Sequence, residues 1–108
     1  MNWKPVIVVM AALSVQTVSV NAQAVLVQQG RVLAEINCAK CHALDQASKS
    51  PHDKAPPFRD VAAWYGPGEL EDGFMDGLAV AHPDMPDWDM TNDQAKALAA
   101  FIMSFKPN

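Results

Sequence analysis

Beyond two cysteines, this 108-residue chain has no thiols, and that scarcity removes several chemistries at once. An iron–sulfur cluster held by four thiolates cannot be built from a single pair. A structural zinc site needs four ligands, commonly a second C-x-x-C or a closely spaced histidine pair, and only the scattered His52 and His82 remain to complete one. No alternating β-branched strands flank the cysteines, which argues against a thioredoxin-like βαβ redox site. Basic residues are thin as well. Between Asp60 and Lys96 there is no lysine or arginine, while Glu69, Glu71, Asp72, Asp76, Asp84, Asp87, Asp89 and Asp93 all fall there. With a formal net charge of −4, the chain lacks the basic surface that nucleic-acid binding requires. The acidic run is either a solvated face or a surface that steers the chain toward a basic partner.

A long apolar span is also missing. Ser14, Gln16, Thr17 and Ser19 interrupt the N-terminal stretch, which falls short of the ~20 apolar residues a membrane helix needs. What stands there is the pattern of an export signal: Lys4 as the positive end, an apolar run from Pro5 to Val20, and Ala22-Gln23-Ala24 as a small-x-small cleavage site. The expected organisation is a cleaved signal over residues 1–24 and one domain over 25–108, in place of an uncleaved anchor. Loss of Lys4 takes the formal charge from −4 to −5. Export points to an oxidising compartment, the bacterial periplasm.

What the chain does have is Cys38-Ala39-Lys40-Cys41-His42, the C-x-x-C-H pattern of c-type haem attachment. Attachment needs two thiols that reach the two vinyl groups on one porphyrin edge, with an imidazole beside them for the iron. On a helical turn, positions i, i+3 and i+4 share a face, so these three side chains address one planar ligand. A disulfide would close too small a loop to constrain the unfolded chain much. A mature chain of about 84 residues is marginal for a self-sufficient core, and a covalent haem c would serve as its staple.

Along the chain, Leu26, Gly30, Leu33 and Asn37 fall on one helical face, predicting a first helix over Val25 to Ile36. Gly30 weakens that helix, which suggests close approach of another helix. Residues 45 to 57 have no period and read as a loop. Ala55-Pro56-Pro57-Phe58 forms a stiff extended segment; if it lies against His42, a carbonyl from Pro56 or Pro57 would accept the Nδ1 hydrogen of the imidazole, and otherwise it is a plain loop. Phe58 to Tyr65 reads as a short helical turn ended by Gly66-Pro67-Gly68, and Glu69 to Leu78 as a second helix with Leu70, Phe74 and Leu78 in line. Met75, off that stripe, reads as packing. Pro83 and Pro86 exclude regular helix around Met85. Thr91 and Gln94 make a capping-box signature, opening a last helix from Asn92 to Phe105 with Leu98, Phe101, Ile102 and Phe105 on one face.

The occupant of the second axial position decides what a haem protein does. Of the mature methionines, Met103 suits packing and Met90, directly before the N-cap, suits a hydrophobic staple. Met85, bracketed by prolines, is the favoured distal ligand, with Met90 or no ligand as alternatives. His82 and His52 are the only imidazoles that would give a bis-histidine site instead. These motifs together, with His82-Pro83-Asp84-Met85-Pro86 and the C-terminal helix, resemble a small class I c-type cytochrome over nearly all of Gly30 to Phe105. The resemblance implies an all-α cytochrome c fold with about three main helices around one haem c. It further implies that Cys38 and Cys41 attach the haem, His42 and Met85 ligate the iron, and the terminal helices cross where Gly30 meets Phe101. By the same resemblance Trp64, Tyr65 and Trp88 would line the haem crevice or bond a propionate, core packing being the default for such residues. The function implied is one-electron transfer between redox protein partners, with no enzymatic substrate and membrane contact only through partner complexes. The rivals are a subunit of a larger dehydrogenase or oxidase, and a haem gas sensor or enzyme with an open distal site. The lysine-rich face of the mitochondrial carriers is absent, so their partners do not transfer.

Overall fold

Thr91 starts the helix on which the others pack. Its side chain accepts from the backbone N–H of Gln94, and the Gln94 side chain accepts from the Thr91 N–H, so both halves of the capping box are formed. The computed structural model describes residues 1–16, 21–66, 68–77 and 88–107, and all regular structure among them is helical: α1 (Ala22–Asn37), α2 (Phe58–Trp64), α3 (Glu69–Met75) and α4 (Asn92–Met103). The fourth helix, beyond the three main ones expected, is α2, which the sequence presents as a helical turn. Helices α1, α2 and α3 all pack on α4. That is why α4 buries Ala95, Ala97 and Ala99 as well as Leu98, Phe101 and Ile102: a central helix is covered on more than one stripe. Met90 is buried in the same core cluster as Ala95, as a staple requires.

The close crossing expected at Gly30 is present. A Cβ placed on Gly30 would lie 2.7 Å from the carbonyl carbon of Ala97 and 2.7 Å from the Cβ of Phe101, and closer still to the Ala97 carbonyl oxygen. The backbone of α4 therefore rests on a surface that only glycine leaves open. Arg31, next along α1, lays its guanidinium over the Phe101 ring at 5.3 Å from the centroid, a cation–π contact that shields the ring from solvent.

Several boundaries differ from expectation, each for a local reason. Helix α1 begins at Ala22 rather than Val25 because the Asn21 side chain accepts from the N–H of Gln23 at 2.9 Å. Its packed face is Val27, Gly30, Ala34 and Cys38. Asn37 is exposed and donates back to the Leu33 carbonyl at 2.9 Å. Helix α3 stops at Met75, and the chain turns at Gly77, whose φ of 93° favours glycine. Leu70 and Phe74 are buried as expected. Met75 is not packed: it is 44% exposed, because it follows Phe74 directly and so leaves the Leu70–Phe74 face. Helix α4 ends at Met103, with Phe105 in the turn that follows. Leu78, His82, Pro83, Met85 and Pro86 lie outside the described residues.

No described helix is long and apolar enough to cross a membrane. Residues 1–16 carry no regular structure and are exposed throughout.

Candidate haem attachment site

Helix α1 delivers the cysteine motif without losing its phase. Cys38 N–H donates to the Ala34 carbonyl at 2.7 Å, and the Cys38 carbonyl then accepts from Cys41 N–H at 3.1 Å and His42 N–H at 2.9 Å. These i+3 and i+4 bonds make one further helical turn, so Cys38, Cys41 and His42 stay on a single turn. All three are half-buried. The cysteines are free thiols. Burial, with Cys41 nearby as the smaller contribution, pushes the Cys38 thiol up to about 11. A reactive redox dithiol depends on a lowered thiol pKa, and Cys38 is shifted the opposite way.

The imidazole is fixed by the segment that follows. His42 Nδ1 lies 2.7 Å from the carbonyl oxygen of Pro56. A carbonyl only accepts, so Nδ1 carries the hydrogen and the Nε2 lone pair is left for a metal. This decides between the two prolines: Pro56 supports His42, and Pro57 instead serves as the N-cap residue of α2 with φ −56° and ψ 146°. The loop between is ordered by contacts that no periodicity reveals. Ala43 N–H donates to the buried Ser50 Oγ at 3.0 Å, His52 N–H to the Cys41 carbonyl at 3.1 Å, and Phe58 N–H to the Ala43 carbonyl at 3.0 Å. Arg59 donates to the carbonyls of Asp45 and Ser48 at 3.3 and 2.8 Å, tying the loop to α2. Ser50 and Arg59 carry no signal in the sequence, since each acts through backbone groups far along the chain.

Asp45 closes the first turn of this loop, accepting from the N–H of Ala47 and from the N–H and hydroxyl of Ser48. Those bonds, the Ser48 hydroxyl first, hold its carboxyl below the usual 3.8. A depressed folded pKa means the contribution to stability is present above the unfolded value and is lost as pH falls through the folded one. Asp45→Ala is therefore expected to be less stable than the parent at neutral pH, with the gap shrinking once the pH drops well under 3.8. Paired denaturation curves at neutral and acid pH check this. A gap that stays constant across that range would contradict it.

Of the three aromatics suggested for a haem crevice, Tyr65 and Trp88 are half-buried against the core, while Trp64 is 64% exposed and is no core residue. No cluster of three or more histidine, cysteine or carboxylate groups fit for a metal ion occurs among the described residues, so His42 is not part of an all-protein metal site there. His42 and its two cysteines fit a haem on the chemistry of their donors: two thiols and one Nε2 on one turn, with the imidazole tautomer fixed. The proposed distal Met85 lies outside the described residues.

The sequence matches the Cytochrome c family over residues 27–106, a span from early α1 to the turn after α4. The chain belongs to the Cytochrome c family. No curated protein and no solved structure matches it. Membership brings haem c as the cofactor and electron transfer as the function, since proteins of this family are generally electron carriers.

Proposed function

We propose that the protein is a periplasmic monohaem electron carrier, with haem c joined to Cys38 and Cys41 and its iron held between His42 and Met85. The observation that carries this reading is the 2.7 Å contact of His42 Nδ1 with the Pro56 carbonyl, on the same turn as both thiols. It places the hydrogen on Nδ1 and leaves the Nε2 lone pair free for a metal. Cys38 and Cys41 would hold the haem by thioether links, each thiol adding its sulfur and hydrogen across one vinyl group with no oxidant needed and no leaving group. When bound, the haem supplies a one-electron Fe(III)/Fe(II) couple.

The residues around it set the conditions for that couple. Pro56 holds the imidazole hydrogen and makes His42 a stronger donor. Met85 would hold the iron opposite His42 and raise the potential. In this reading residues 1–24 are a cleaved signal and residues 25–108 the domain, with the family match beginning at residue 27. Exposed Glu69, Asp72, Asp76, Asp89 and Asp93 favour a redox protein partner with a basic docking surface.

Intact mass of the exported protein in denaturant tests attachment and processing together. The expected species is Val25 to Asn108 plus one haem. A chain that sheds its haem in denaturant would overturn covalent attachment, and one that retains Met1 to Ala24 would overturn cleavage.

A further inference from the structure

One hydrogen bond does not fix the plane of an imidazole. Carbonyl oxygens accept over a broad range of directions, so the Pro56 carbonyl restrains the Nδ1 edge of His42 and leaves the ring free to rock about that contact. The second restraint is a tilted ring contact. Phe58 packs its ring against His42 with centroids 5.3 Å apart and planes at 46°. We propose that Phe58 is a positioning residue that sets the plane of the His42 ring and, through it, the electronic asymmetry of the haem iron. This deepens the proposed function and rests on its reading of His42 as an axial ligand.

Phe58 is itself held from three sides. Its ring is 4% exposed. Its N–H donates to the Ala43 carbonyl at 3.0 Å, so its backbone is tied to the residue next to His42. Its other neighbour is Phe101, edge-on at 6.1 Å, and Phe101 is fixed in turn by the tight crossing at Gly30. Residues 56 and 58 thus clasp residues 42 and 43 through two hydrogen bonds, one from the His42 side chain to the Pro56 carbonyl and one from Phe58 N–H to the Ala43 carbonyl, with the Phe58 ring against the imidazole. An imidazole held at its Nδ1 edge and packed against a second ring is restricted in the plane it can take. Without that second ring, the hydrogen bond alone would allow a range of planes.

The plane of an axial imidazole governs how unpaired spin is shared over the porphyrin, which proton NMR of the oxidised haem-loaded protein reads as the order and spread of the haem methyl resonances. In Phe58→Leu the methyl resonances are expected to reorder or draw together while the shifted resonances of the His42 ring persist. Phe58→Tyr, which restores a ring, should return the wild-type pattern. Ile102→Val loosens the same core without touching His42 and should leave the pattern unchanged. If Phe58→Leu does not accumulate, Phe58→Met keeps more of the volume and gives the same reading. A wild-type methyl pattern in the Leu or Met variant would overturn the role of Phe58. Failure of the ligand reading looks different: the shifted imidazole resonances would be missing from the wild-type protein itself.

Discussion

Gly30→Ala is expected to lower the stability of the haem-loaded protein by about 3 kcal/mol, a fall of roughly 12 to 24 °C in Tm for a domain of this size. The added methyl would sit 2.7 Å from the Ala97 carbonyl carbon and the Phe101 Cβ. These are main-chain and Cβ atoms, so no rotamer change relieves the clash, and α1 must lift from α4. The substitution improves helix propensity by about 1 kcal/mol, which offsets only part of the loss. Because Phe101 also borders Phe58 and Arg31, the lift loosens the packing behind His42. Thermal melts of Gly30→Ala beside Gln29→Ala, an exposed neighbour, check this. A neutral or stabilising Gly30→Ala would mean that propensity decides and the helices do not meet so closely.

Cys38→Ala with Cys41→Ala is expected to leave a chain without stable tertiary structure. Among the described residues the buried apolar set includes Ala34, Ala43, Ala62, Ala95, Ala97 and Ala99, and the largest fully buried side chains are Phe101, Leu70, Leu98 and Ile102. Alanine contributes little apolar area per ordered residue, while each ordered residue costs backbone entropy of about 1–2 kcal/mol. A short chain with so light a core falls where small domains need a cross-link or cofactor. Far-UV circular dichroism of the double variant should show most helicity lost and no cooperative melt. Native helicity with a sharp transition would contradict it.

Much of this architecture was legible because it depends on local signals. The capping box at Thr91 and Gln94, the stripe of Leu98, Phe101 and Ile102, and the spacing of Cys38, Cys41 and His42 each specify local geometry within a turn or two. Gly30 was legible for a different reason: a residue that weakens a helix calls for a compensating contact, and the contact is there. The packed face of α1 was misjudged because a stripe built on large apolar residues overlooks Ala34, whose small size is what permits a close crossing. The choice of Pro56 over Pro57 could not be made from spacing, since it turns on which carbonyl points back across the loop. Ser50, Arg59 and the ring contact of Phe58 were hidden for the same reason, as each acts on residues that are neighbours only after folding.

The proposed role closes the haem to outside ligands and reserves it for electrons, and Met85 is the residue on which that role turns. The most direct measurement is the optical spectrum of the oxidised protein beside that of Met85→Ala. Thioether ligation predicts a weak long-wavelength iron–sulfur band in the wild type that vanishes in the variant, together with CO binding by the reduced variant but not by the reduced wild type. A high-spin wild-type spectrum, or ready CO binding by the reduced wild-type protein, would contradict the account.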